Sequence, residues 1–192
     1  MEEPWEVWNI AEGAFTEFSN AKPVTISKVP SNQVVQASWT PPLAGHVKIC
    51  CDAAFDVQTG KSAVAAIGRD SIGSIIAGHS ACLYAPSASA AEASGIRLGV
   101  EMDVSFGLDH IIFESDYKQV VLRLNSGVLS AWESAAIEED ILSLASSFLS
   151  VSFSFIPRTC NRVADWVTKN VLNGSCPRDW VANPPQGLLS LL

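Results

Sequence analysis

The chain has 192 residues and a mass of 20.5 kDa, room for one domain with an appendage or at most two small domains. Apolar residues make up 48% and charged ones 17%, a globular balance that excludes disordered, collagen-like, coiled-coil and mucin-like classes. Twenty acids against twelve bases give a formal charge of -8, which argues against a protein that binds nucleic acid by blanketing phosphates with Lys and Arg.

Met1-Glu2-Glu3-Pro4 is acidic where a secretory signal would be basic, so an intracellular protein is expected, in nucleus or cytoplasm. Trp5, Trp8, Ile10, Ala14, Phe15 and Phe18 recur at three- and four-residue steps, predicting an amphipathic helix over residues 5 to 21. That helix is a candidate docking element for a protein partner. Pro23, Pro30, Pro41 and Pro42 interrupt the next stretch of chain, so residues 22 to 45 read as a linker and residues 1 to 46 as an N-terminal appendage.

From Val47 the pattern changes. Val47 to Phe55 is an apolar, β-branched run with one embedded acid, a candidate central strand. A turn at Gln58-Thr59-Gly60-Lys61 leads to a strand over Ser62 to Asp70, and Ser71-Ile72-Gly73 turns into another over Ser74 to Leu83. Pro86 and Ser87 open an alanine-rich helix reaching about Asp103. Gly107 ends the connection to a fourth strand at His110 to Ser115. Asp116 to Asn125 reads as a short helix closed by Gly127. Ser130-Ala131-Trp132-Glu133 has the form of a capping box for a helix whose buried stripe is Ile137, Ile141, Leu144 and Phe148. Val151 to Ile156 alternates as a fifth strand, with Val151, Phe153 and Phe155 on one face. A last helix starts near Thr159 or Asn161 and runs to about Val171.

This order predicts an α/β domain over residues 47 to 174, followed by a tail from 175 to 192. It has a mixed five-stranded sheet: three antiparallel strands, then parallel additions through helical crossovers, with helices on both faces. No apolar run is long enough to span a membrane, and a monomer is expected. The five cysteines are odd in number and form no C-x-x-C pair, so they read as reduced core thiols. His46, His79 and His110 are far apart in sequence and match no metal spacing.

Most acids fall on predicted solvated helix faces or turns, among them Asp103, Glu138, Glu139, Asp140 and Asp179. Four do not. Asp52 lies inside the most apolar strand, where a lone carboxylate costs several kcal/mol unless paired or metal-bound. Glu92 sits among small residues (Ala88, Ser89, Gly95) that let its helix approach a sheet closely, although a surface acid would also sit there. Asp116 comes directly after a buried strand at its carboxyl end, where α/β sheets place their sites, or it caps the next helix with Gln119. Asp165 occupies the first turns of the last helix, where the helix dipole alone would favour it. A cluster of unpaired carboxylates calls for a divalent cation, and all-oxygen ligands favour magnesium or manganese.

Four segments, Lys48 to Phe55, Ala91-Glu92-Ala93, Glu114-Ser115-Asp116 and Pro157 to Asp165, together resemble the type 1 ribonuclease H family. The resemblance is in particular to the domain found with plant retrotransposon reverse transcriptases. It covers about residues 47 to 172, with a looser match at Trp39-Thr40-Pro41-Pro42 and in the tail. It implies a ribonuclease H-like fold and an endonuclease that cuts the RNA strand of RNA–DNA hybrids. Asp52, Glu92, Asp116 and Asp165 would hold two Mg²⁺ or Mn²⁺ ions, and Ala53, Ser89, Ser115, Arg158, Asn161 and Arg162 would line the hybrid.

The chain departs from the family in several places. Ala53 stands where the first strand usually carries glycine, Arg158 stands nearest to the position of an assisting histidine, and Ala88 and Ser89 replace a polar pair. No Lys or Arg occurs from Leu129 to Glu139. The alternative reading is a weak or inactive module of the same fold that binds nucleic acid or protein. Two divalent ions would offset the four ligand carboxylates, leaving Arg158, Arg162 and Lys169 beside the last acid as candidate phosphate contacts.

Overall fold

Alternation in the strands carries directly into a layered sheet. A computed structural model describes residues 37–106, 110–128 and 133–192. The expected helix over residues 5 to 21, the turn at Gly107 and Ser130-Ala131-Trp132 of the expected capping box lie outside them. The described elements are β1 (Val47–Phe55), β2 (Lys61–Arg69), β3 (Ile75–Tyr84), α1 (Ala88–Phe106), β4 (His110–Ser115), α2 (Lys118–Ser126), α3 (Ala135–Ala145), β5 (Ser150–Phe155), α4 (Arg162–Leu172) and the short α5 (Gln186–Leu189).

The sheet runs β3-β2-β1-β4-β5. Its first three strands pair antiparallel, whereas β4 adds parallel to β1 and β5 parallel to β4. The mixed five-stranded α/β architecture expected from the element order is therefore present. Both faces of β1 are covered. Ile49 and Cys51 join Phe113, Phe153, Ile96 and Val120 in one core, under α1, α2 and α3. Cys50 joins Ala65, Ile67, Val163 and Val167 in the other, under α4, with Trp180 and Leu188 of the C-terminal segment. Period-2 alternation sends Asp52 to the same face as Cys50, toward α4.

Glycines set the distance between α1 and the sheet. A Cβ on Gly95 would lie 2.8 Å from the Asp52 carbonyl oxygen, and one on Gly99 would lie 2.9 Å from the Cys51 sulfur. That close approach carries Glu92, one turn before Gly95, to the end of β1.

Several expectations are corrected. Glu138, expected on a solvated face, is fully buried; Arg123 donates to it from Nε at 2.9 Å, and the Ser134 hydroxyl donates at 2.8 Å. The Arg123 carrier lies on α2, fifteen residues earlier, so no local pattern announces the pair. Val151, Phe153 and Phe155 share one face of β5 as expected, but their burial along it is uneven. Phe155, the last residue of edge strand β5, is 44% exposed, whereas Phe153 is buried. Cys82 is an exposed thiol of edge strand β3 rather than a core one. His46 and His110, distant in sequence, stack with ring centroids 5.0 Å apart because the parallel pairing of β1 and β4 aligns their amino ends.

Candidate active site

The carboxyl ends of β1 and β4 lie side by side, and the first turns of α1 and α4 converge on them. Asp52 comes from β1 and is 5% exposed. Asp116 is the first residue after β4. It does not cap α2, the other role open to it: Tyr117 holds that position, and no side chain caps the helix. The Asp116 carboxylate is thus left for the site. One oxygen from each of Asp52, Glu92 and Asp116 lies within 4.8 Å of the others.

Two side chains of α4 and its amino end organise this trio. The Thr168 hydroxyl donates to Asp52 Oδ2 at 2.6 Å. The Asn161 amide donates at 2.9 Å to both Asp116 Oδ1 and the Cys51 carbonyl, and lies 3.4 Å from Asp52 Oδ1. Both are fully buried. Asn161, Asp165 and Thr168 are spaced i, i+4, i+7, one stripe of the helix. That polar stripe is the signal by which the sequence could have revealed Thr168, which the family motifs pass over.

Asp165 stands apart from the trio's arrangement. Arg158 Nη2 donates to its Oδ1 at 2.9 Å and Lys169 Nζ to its Oδ2 at 2.6 Å, so both oxygens are engaged by cations. Lys169 is the i+4 partner expected for an acid one turn earlier.

The remaining expected contact residues divide. Arg158 and Arg162 are exposed, and both line an open groove of about 450 Å³ with Ser38, Thr159 and Asp165. Ser115 is buried, and its hydroxyl accepts the Tyr117 N–H at 3.1 Å, so it shapes the turn before α2 instead of facing a ligand. Asn161 is likewise turned inward, onto the acids. Ser89 accepts a hydrogen bond from Arg123 Nη2 at 3.0 Å. Ala53 is half-buried beside both Leu83 and the α1 core.

Electrostatics marks Asp52 and Glu92 as strained. Burial raises Asp52 to about 7; the Thr168 hydrogen bond opposes this, and the charges of Asp116 and Asp165 add to it. Burial also raises Glu92 to about 9, helped by Asp52 and Asp116 and opposed by Arg158. Glu92 Oε2 is buried with no hydrogen-bond partner. Three gathered carboxylates, one of them with an orphaned oxygen, are a donor set that fits a hard divalent cation, with oxygen ligands alone.

A mixed sheet in this order, with carboxylates gathered at the carboxyl end of its central strands, is the architecture of the ribonuclease H-like proteins. The chain belongs to the reverse transcriptase-like family, whose model matches residues 50–171. Among solved structures it is similar to RNase H1 from the halophilic archaeon Halobacterium salinarum. The TM-score is 0.63 at 22% identity, over 67% of this chain and 98% of that one. It is similar to the N-terminal RNase H domain of a Mycobacterium tuberculosis protein, with TM-score 0.63 and 20% identity over 68% of this chain and 95% of that one. It also matches LC11 RNase H1, solved in complex with an RNA/DNA hybrid, with TM-score 0.57 and 18% identity over 67% and 98%. No curated protein matches the chain in sequence.

Proposed function

We propose that this chain is a divalent-metal-dependent endonuclease that hydrolyses the RNA strand of RNA–DNA hybrids. The observation that carries the reading is the convergence of Asp52, Glu92 and Asp116, with a buried, partnerless Glu92 oxygen, at the end of a ribonuclease H-type sheet. The hybrid bound to LC11 RNase H1 supports the choice of substrate.

Asp52, Glu92, Asp116 and Asp165 would hold two Mg²⁺ or Mn²⁺ ions. When bound, such ions supply a hydroxide-like nucleophile at neutral pH and stabilise the leaving 3′ oxygen, giving 5′-phosphate and 3′-hydroxyl ends. The chain's own groups prepare the site. Thr168 and Asn161 fix the Asp52 and Asp116 carboxylates, so neither must reorganise on loading. Arg158 and Arg162 present exposed guanidinium groups at the rim, where a phosphodiester would lie. Arg158 spends Nη2 on Asp165, and the other N–H groups of its exposed guanidinium remain available to a phosphate.

The test is cleavage of a strand-labelled RNA–DNA hybrid with Mg²⁺ or Mn²⁺, using Asp116→Asn as control. Metal-dependent cutting of the RNA strand that falls at least about a hundredfold in Asp116→Asn is expected. No cutting, or cutting that survives the control, would sink the enzyme reading. One observation favours the second reading, a module that binds nucleic acid without cutting it: both Asp165 oxygens are held by Arg158 and Lys169. Hybrid binding without cleavage in either metal would establish that reading.

A further inference from the structure

A second concentration of buried charge lies beside the first, and the acidic site does not use it. Arg69 ends β2 and is 2% exposed. Its guanidinium carbon lies 3.2 Å from the centre of the Trp39 ring, and Nη2 donates to the Cys50 thiol at 3.2 Å. Its Nε is buried with no partner. Among the described residues no carboxylate lies within ion-pairing distance of it. The nearby Glu114, itself buried, is engaged by Lys48 Nζ at 2.9 Å, by Trp39 Nε1 at 2.7 Å and by the Cys50 thiol at 3.4 Å. Lys48 and Glu114 cancel, so Arg69 remains as one uncompensated positive charge in the interior. Proteins rarely keep such a charge without an anion to meet it.

Arg69 lines a pocket of about 150 Å³ together with Ser38, Trp39, Arg162 and Val163, and with Leu191 and Leu192 of the C-terminal segment. Arg162 brings a second guanidinium. Arg162 and Val163 are also the first residues of α4, an eleven-residue helix whose amino end carries no side-chain cap, because Asn161 turns its amide to the carboxylates. The positive end of the helix dipole and its free amides therefore join two arginines at one small cavity. The segment carrying Ser38 is pinned in place, since Thr159 Oγ1 and the Cys160 thiol both donate to the Ala37 carbonyl, at 3.2 Å and 3.4 Å.

We propose that this pocket binds a phosphate group, held by Arg69, Arg162, the Ser38 hydroxyl and the first amides of α4. A phosphate reaches it either as free inorganic phosphate or as part of a nucleic-acid backbone. The larger groove that runs to Arg158 and Asp165 shares Ser38, Thr159 and Arg162 with this pocket. A backbone phosphate in the pocket would therefore belong to the strand that continues past the acidic site. This assignment of source rests on the nucleic-acid reading above, whereas phosphate binding itself does not.

The experiment uses the full chain in EDTA, which removes divalent ions from the acidic cluster. Titration with inorganic phosphate, against chloride at matched ionic strength, is monitored by thermal melting and calorimetry. Saturable stabilisation is expected, at least about tenfold weaker in Arg162→Gln, an exposed position whose substitution leaves the core intact. Absence of a phosphate-specific shift, or a shift unchanged in Arg162→Gln, overturns the pocket. In a second arm, phosphate is expected to weaken binding of an RNA–DNA hybrid to the wild-type chain and to have less effect on Arg162→Gln. Phosphate binding that leaves hybrid affinity unchanged overturns the backbone assignment. Failure of the cleavage assay would touch neither the phosphate titration nor its control.

Discussion

Asp52 and Glu92 are held where their ionised forms are poorly solvated, and this gives the metal-free chain a definite response to pH. Folding raises both groups, Asp52 from 3.8 to about 7 and Glu92 from 4.5 to about 9. Above about pH 4 the unfolded chain releases protons that the folded chain keeps. The contribution of these groups to stability is therefore complete below about pH 4 and is lost as pH rises through the folded values. In EDTA the melting temperature is expected to fall between about pH 6 and about pH 9, with a smaller fall in Asp52→Asn. Mg²⁺ or Mn²⁺ should raise it more at the upper end, because binding requires the deprotonated carboxylates. A melting temperature that rises over that interval, or one that no divalent ion shifts, would contradict this account.

Asp165 makes a different prediction at the same scale. Its ion pair with Lys169 joins a side chain that is 57% exposed, so Lys169→Met should change stability by less than about 0.5 kcal/mol. The substitution frees Oδ2, and divalent-ion binding measured by calorimetry is expected to tighten. Unchanged affinity would place Asp165 outside the metal centre.

Among the elements, the contact of α1 with β1 decides whether the trio exists. Gly95 meets the Asp52 carbonyl, a backbone atom that cannot move aside as a flexible side chain can. Gly95→Ala should gain some helix propensity and lose more to overpacking, for a net destabilisation of about 1–2 kcal/mol in denaturant unfolding. It should also weaken divalent-ion binding, because Glu92 rides on the same helix face. A variant as stable as wild type with unchanged metal affinity would show that this spacing is not what positions Glu92. The element order was legible because apolar period and turn residues are local: β1 and β4 carry the expected boundaries, and the other described strands and helices up to α4 fall within a few residues of theirs, whereas the short α5 in the tail was not expected. Where a long-range partner overrode the local pattern, as Arg123 does for Glu138, the sequence pointed the wrong way.

For the whole molecule, the C-terminal segment belongs to the fold's second core. Trp180 is 3% exposed, its Nε1 donates to Ser80 Oγ at 3.1 Å, and a Cβ on Gly78 would overlap its ring. Trp180→Ala should cost about 3–5 kcal/mol in equilibrium unfolding. A loss below about 1 kcal/mol would mean that this segment contributes little to the core. The net charge of -8 acquires a location at this scale as well. Part of the negative charge is concentrated in the acidic site, while Arg69, Arg158 and Arg162 line two adjoining depressions beside it. Composition alone argued against a nucleic-acid partner, and it could not show this separation.

The sequence by itself determined the mixed α/β sheet, the order of its elements and the oddness of an acid inside the apolar strand Val47–Phe55. Each of these depends on residues close together in the chain. The tertiary structure decided which groups meet: Thr168 on Asp52, Asn161 between Asp52 and Asp116, two cations on Asp165, and Arg69 with no carboxylate among the described residues. The cations on Asp165 are local, but the contacts of Thr168 and Asn161 join residues up to 116 positions apart and depend on how closely helices approach the sheet, which no local pattern encodes.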